Sequence, residues 1–231
     1  MKADVEEKSR KNSTIQQAVR REVFAWFWLI LAFLLINGTI GQARVIPSGS
    51  MENTLLIGDH VLMSRVGYDV GIPFTHVHVP LWRNPRRQQL VIFRPPIKGD
   101  SPDWVKRVIG LPGETVDIHD NGVWINGKRL KENYTLGETL PADSGKVRFP
   151  YTVPADCYFV MGDNREDSYD SRYVGCVPRA NVIGTPVMIY MSVDAPSDSW
   201  ESGGIRERFL AYGNALIHPS EIRWRRLFHT F

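Results

Sequence analysis

Thr115-Val116-Asp117-Ile118-His119-Asp120-Asn121-Gly122-Val123-Trp124-Ile125-Asn126 is two short alternating runs joined by a turn. Val116 and Ile118, then Val123 and Ile125, recur with a period of two, which gives a strand one buried face. Asp120-Asn121-Gly122 supplies residue types that accept a left-handed backbone, so the segment reads as a tight hairpin. The same pattern of short strands continues outward. His60-Val61-Leu62-Met63 follows a turn at Leu55-Leu56-Ile57-Gly58-Asp59, and Leu90-Val91-Ile92-Phe93 is stopped by Pro95-Pro96. Cys157-Tyr158-Phe159-Val160-Met161 feeds a loop at Gly162, and Pro186-Val187-Met188-Ile189-Tyr190-Met191 is a further strand. Fifteen prolines and 19 glycines cut the 231-residue chain into short pieces, as an all-β domain requires. The expected fold is therefore mainly β. Residues 65–87 are rich in proline and aromatics and carry no clear element. Residues 194–204 read as a loop. The end, Ile222-Arg223-Trp224-Arg225-Arg226-Leu227-Phe228, fits a closing strand, a short helix or a membrane-surface patch.

Charge is nearly balanced, with 28 basic and 25 acidic side chains and a net charge of +3. No block of like charge suggests a nucleic-acid partner. Cys157 and Cys176 are the two cysteines, too few for a disulfide framework and without a CxxC or His/Cys cluster. In an exported domain they could pair, and the sequence leaves that open. His76-x-His78 would share one face of an extended run, but a lone pair of this kind is more often structural than metal-binding. No metal and no cofactor are expected.

Between Glu22 and Arg44 there is no charged residue. The strictly apolar part, 23–36, is 14 residues, short for a membrane span; with the uncharged tail 37–43 it reaches 21. At ~1.5 Å per residue that is roughly 31 Å, about the thickness of the hydrocarbon layer. Trp26 and Trp28 fall near one end, where interfacial aromatics are common. A cleavable signal peptide competes, since Gly41-x-Ala43 has a small-x-small form, but 22 residues of mixed charge precede the apolar run. A buried core helix also competes, against an all-round apolar surface. Lys2, Lys8, Arg10, Lys11, Arg20 and Arg21 precede the span and only Arg44 closely follows it. The positive-inside rule then puts the N-terminus in the cytoplasm. The expected organisation is a cytoplasmic segment 1–22, a single transmembrane helix 23–43, and an extracytoplasmic β domain 44–231. Exposed aromatics such as Trp82 and Trp200 are candidates for touching lipid.

Ser50 lies in Ile46-Pro47-Ser48-Gly49-Ser50-Met51, ten residues after Ile40 and so at most about 35 Å from it. A serine hydroxyl is a weak nucleophile until a base takes its proton. None of the six histidines has a catalytic context. A lysine amine can serve instead if burial lowers its usual pKa of about 10.4. In Trp104-Val105-Lys106-Arg107-Val108, a strand would put Trp104, Lys106 and Val108 on one face. Lys106 is thus the lysine most suited to apolar packing, whereas Lys98, Lys128 and Lys131 sit in polar or turn contexts. Taken alone, an exposed or snorkelling lysine would be the more ordinary reading.

Three stretches together resemble type I signal peptidases. They are Pro47-Ser48-Gly49-Ser50-Met51, then Val105-Lys106-Arg107-Val108-Ile109-Gly110-Leu111-Pro112-Gly113, then Gly162-Asp163-Asn164-Arg165-x-x-Ser168-x-Asp170-Ser171-Arg172. They follow the family's order, after the family's anchor, over residues 23–193, with a weaker match at Ile222-Arg223-Trp224. The resemblance implies a signal-peptidase-like antiparallel β domain and a serine endopeptidase of the cell membrane. Its single pass would leave the catalytic domain outside. It implies Ser50 as nucleophile, Lys106 as neutral general base and Ser168 as the group that orients the amine. Ser48 and the Ser50 N–H would form the oxyanion hole, with Arg107–Asp163 and Asp170–Arg172 as supporting ion pairs. Ile46, Met51, Leu55 and Val105 would line small substrate pockets. The partners implied are preproteins with signal peptides and membrane lipid, and the enzyme is expected to be a monomer. One departure stands out: the family often has proline before Thr-Leu, where this chain has Asn53. A specialised Ser/Lys peptidase, such as a conjugation-pilin processor, is the alternative. A self-cleaving peptidase of the repressor type usually lacks an anchor and carries a DNA-binding domain. A non-catalytic binding module should lack one of Ser50, Lys106 and Ser168.

Overall fold

A computed structural model describes residues 2–36, 40–71, 78–97, 99, 102–142, 147–195, 198–201 and 205–231. His76, Lys98 and residues 37–39 of the expected span lie outside the described residues.

The central element is a seven-stranded sheet in the order β1-β2-β13-β5-β6-β11-β12. Its strands are β1 (Gly41–Val45), β2 (Asp59–Ser64), β5 (Leu90–Phe93), β6 (Trp104–Gly110), β11 (Cys157–Met161), β12 (Val177–Pro178) and β13 (Val182–Ser192). Every neighbouring pair is antiparallel. β5 and β11 are buried at every position, which explains why they read as unbroken apolar runs instead of alternating ones. β13 carries the sheet round a bend. Register shifts between Pro186 and Met188 and between Ile189 and Met191 let one strand pair with β2 at one end and β5 at the other.

A smaller sheet, β10-β7-β8-β9, grows from the far end of β6 and β11. It comprises β7 (Thr115–His119), β8 (Gly122–Ile125), β9 (Lys128–Arg129) and β10 (Tyr151–Thr152). The β7–β8 hairpin turns at Asp120 and Asn121, whose φ values of 49° and 50° are the left-handed pair that the turn needs. Val116, Ile118, Val123 and Ile125 bury their shared face on Ile109, Phe159 and Met161, so this sheet and the long sheet share one core. Within 65–87, which had no sequence assignment, β3 (Asp69–Gly71) and β4 (His78–Pro80) form a two-stranded ribbon. The disulfide joins Cys157 to Cys176.

Two expectations change. The stretch 194–204 is not all loop: it holds α3 (Asp198–Glu201), which packs with α4 (Ile205–Ile217). Trp200, a lipid candidate from its sequence context, is only 1% exposed, whereas Trp82 is 80% exposed. Trp200 stacks edge-on to His60 and Tyr212 beneath the helices, and burial lowers the His60 pKa. The terminal segment forms a 3-10 turn, Trp224–Arg226, with Ile222 bridged to Val193 just past β13 and Thr230 bridged to Met188 of β13. Arg226 clamps the fully buried Asp59 carboxylate at 2.6 Å and so ties this tail to β2.

α1 spans Lys2–Leu35. Gly41, Gln42 and Ala43 pair with Ser64, Met63 and Leu62 as strand, so a helix running to 43 is not confirmed. Among the described residues, no helix is long and apolar enough to cross a membrane.

Candidate active site

Ser50 sits in a 3-10 turn, Gly49–Met51, entered through an extended Ser48. The turn is held by its apolar flanks: Ile46, Met51 and Leu55 are buried with Val61, Leu90 and Ile189, and Val105 packs against them. These anchors leave the short hydroxyl of Ser50 at the surface of a cleft. The next turn contains Asn53 at φ 82°. Proline, fixed near φ −65°, could not occupy that conformation, so the departure at this position reflects a differently shaped turn. The Asn53 side chain does not close its own turn but donates to the Tyr134 carbonyl at 3.0 Å.

Lys106 lies on β6 opposite Val91 of β5. Trp104, Val108 and Val91 belong to one apolar cluster, the face expected from the alternation. The lysine is 4% exposed, and burial pulls its amine down to about 8. Asp170 opposes that shift, Arg172 adds to it, and Asp167 and Asp163 oppose it further. Ser50 and Lys106 line the same cleft of about 890 Å³. Residues 43–50 and 102–106 both line it, with Asp167, Tyr169, Trp200 and Arg208. Among the described residues neither the Ser50 hydroxyl nor the Lys106 amine makes a hydrogen bond. An exposed ion pair, Arg44 to Asp103 at 2.7 Å, joins the β1 side of the cleft to the start of β6.

The acidic loop after β11 packs under both. Gly162 is required by close approach, because a Cβ there would collide with the Ser168 hydroxyl and the Ser50 carbonyl. Asn164 donates its backbone N–H to the Ser50 carbonyl at 3.2 Å. The Ser168 hydroxyl, expected on the lysine amine, donates instead to Asp170 Oδ2 at 2.7 Å. A buried carboxylate is the stronger acceptor, so it captures that proton. Asp170 also caps α2 (Ser171–Val174) and holds Arg172 through Nε at 2.9 Å. Arg107 grips Asp163 with Nε at 2.8 Å and Nη2 at 2.5 Å. All twelve residues singled out in the sequence therefore fall at or directly behind one cleft. Among the described residues there is no cluster of groups able to hold a metal ion. Sequence reasoning missed Arg44, Asp103, Asp167 and Tyr169 in the cleft, and Thr54, Glu132 and Tyr134 behind it. Only Asn53, the departure from the family pattern, pointed toward the last group.

Residues 19–191 match the family described as signal peptidase, peptidase S26. The chain is 38% identical over 163 residues to a probable signal peptidase I-2 of Synechocystis sp., covering 68% of this chain and 67% of that protein. It is 36% identical over 171 residues to a signal peptidase I of Leptolyngbya laminosa, covering 71% and 76%. With the signal peptidase I of Aquifex aeolicus it shares 31% over 261 residues, covering 89% and 97%.

Proposed function

The chain belongs to the type I signal peptidases of the peptidase S26 family, and from that premise we propose that a Ser50–Lys106 dyad removes signal peptides from exported preproteins after small-x-small sites. The observation that carries this reading is an amine with a pKa near 8 in the lining of the cleft that also holds Ser50.

Among the described residues, β1 pairs only with β2, and residues 104–106 of β6 pair only with β5, because β11 joins at Arg107. Two strand edges are thus open along the cleft, and an extended peptide can add between them as a further strand. Ile46 and Val105 line the cleft, with the buried Met51 and Leu55 packed behind them, and the small pockets they shape would exclude larger side chains by overlap. Neutral Lys106 takes the Ser50 proton as Oγ attacks the scissile carbonyl. The Ser48 hydroxyl and the Ser50 N–H stabilise the oxyanion, the latter being early in a helical turn where N–H groups lack an intrahelical acceptor. The Lys106 ammonium then protonates the leaving amine, and the acyl group stays on Ser50. Lys106, neutral again, activates the water that releases it. The Ser168 O–H donates to Asp170, so the hydroxyl's lone pairs remain to accept from the lysine amine and turn the nitrogen lone pair toward Ser50.

In this reading the apolar stretch before β1, from residue 23 to 40, anchors a single chain in the cell membrane, with 1–22 in the cytoplasm and the β domain from Gly41 onward outside. The outward exposure of Val23, Phe24, Trp26, Phe27 and Phe33 on α1 supports lipid as their surrounding. Ser50→Ala and Lys106→Ala are each expected to abolish processing of a preprotein by the purified enzyme. Full processing by Lys106→Ala would overturn the assigned base. Cleavage of several unrelated preproteins, against one alone, separates a general signal peptidase from a specialised one.

A further inference from the structure

The Ser50 turn, the Lys106 strand and the acidic loop come from three distant parts of the chain, and one segment touches all of them. This is residues 131–136, which lie outside the cleft lining. The Tyr134 carbonyl accepts from Asn53, three residues after Ser50. The Tyr134 ring lies 3.9 Å beneath the guanidinium of Arg107, the residue after Lys106. That guanidinium grips Asp163 and reaches Thr54 at 3.1 Å. Leu136 N–H donates to the Asp163 carbonyl at 2.8 Å, and Arg165 N–H donates to the Leu136 carbonyl at 2.8 Å. Glu132 receives the Tyr134 hydroxyl at 2.8 Å and pairs with the fully buried Arg165. From there Asn164 reaches back to the Ser50 carbonyl. The circuit closes on the nucleophile from two sides.

We propose that Glu132 and Tyr134 are positioning residues: with Asn53 they form a strap that holds Ser50 and Lys106 in attacking register. The proposal rests on the dyad reading above. Burial raises the Tyr134 phenol above its ordinary value, so the group stays neutral and does no proton transfer of its own. The strap also explains Asn53. Its left-handed turn cannot be stiffened by a proline from within, and this chain ties the turn to a neighbouring segment from outside. A shift of about 1 Å between reacting groups costs on the order of 10²-fold in turnover, so a support behind the site acts on kcat. It leaves the peptide cleft, and hence KM, alone.

The test measures kcat and KM of the full-length enzyme on a soluble peptide with alanine at both small positions. Tyr134→Leu removes the ring under Arg107 and is expected to lower kcat roughly 30-fold, with KM within about twofold. Tyr134→Phe keeps the ring and is expected within about threefold of the parent. Asn53→Gly keeps the left-handed backbone but deletes one hydrogen bond, and is expected to lower kcat about fivefold. Parental kcat in Tyr134→Leu, an equal loss in Tyr134→Phe, or a loss confined to KM overturns the strap. If Tyr134→Leu does not fold by circular dichroism, Asn53→Gly decides, and parental kcat there overturns it. Ser50→Ala in the same assay separates the two failures. Turnover in Ser50→Ala removes the dyad, whereas a dead Ser50→Ala beside a fully active Tyr134→Leu removes the strap alone.

Discussion

At position 106 the chain accepts a thermodynamic cost for a chemical gain. A lysine whose amine falls from 10.5 to about 8 is a protonated group the fold disfavours. A shift of that size corresponds to about 3 kcal/mol, to order of magnitude. Below the folded value the amine is protonated in both folded and unfolded chains, and the whole cost is present. Between about 8 and 10.4 the unfolded chain holds a proton that the folded chain has released, so stability rises with pH. Above both values the cost is gone. Lys106→Met, of similar length and without charge, should therefore raise the melting temperature at pH 6.5, a gain on the order of 2 kcal/mol, and show little gain at pH 10.5. A melting temperature unchanged at pH 6.5 would show that the ammonium is not penalised. The same titration governs rate. kcat/KM should climb as pH passes about 8 and then level, because only the neutral amine can accept the Ser50 proton. A profile already level from pH 6 would exclude Lys106 as the base.

Elements differ in how much of them local sequence can reveal. The β7–β8 hairpin was legible because its turn chemistry and its alternation lie within twelve neighbouring residues. Lys106 was legible because Trp104 and Val108 flank it on the same strand face. α3, α4 and the burial of Trp200 were not, since they depend on His60 and Val193, which approach only after the sheet bends. The strap was hidden for the same reason: Asn53 and Tyr134 are 81 positions apart. The two cysteines fall between these cases. Their pairing was open in the sequence, and the fold brings them together across the acidic loop. Cys157 opens β11, which leads into that loop, and Cys176 lies just before β12, so the bond closes a circuit containing Asp163, Ser168, Asp170 and Arg172. For a sequence separation of 19, loop-closure entropy suggests about 3 kcal/mol, a model-dependent figure. Cys157→Ala/Cys176→Ala should melt several degrees lower, and its kcat should fall more steeply with temperature than that of the parent. Equal melting curves would mean that β11 and β12 hold the loop without help.

The whole molecule poses a problem of reach. In the proposed reading its substrate's apolar segment belongs to the bilayer, while the nucleophile belongs to a water-exposed β domain. β1 begins at Gly41 and runs within five residues to Ile46, which lines the cleft. Val45 lies against the α3–α4 cluster and Arg44 reaches across the cleft to Asp103, so β1 forms one side of the cleft and, under the proposed anchoring, the exit from the anchor. Under the proposed anchoring, the few residues from Gly41 to Ile46 would hold the cleft close to the membrane, where the cleavage region of a signal peptide emerges. That economy predicts a separation of two activities. Insertion of ten Gly/Ser residues after Ile40 adds a flexible tether of roughly 15–20 Å root-mean-square length. It leaves β1, Ser50 and Lys106 untouched. Cleavage of a soluble peptide should stay within about twofold of the parent, while processing of a preprotein in the same vesicles should fall about tenfold as the local concentration of the site at the membrane drops. Unchanged processing by the lengthened enzyme would mean that substrates leave the bilayer before cleavage, and that the distance from the proposed anchor to β1 has no part in presenting them.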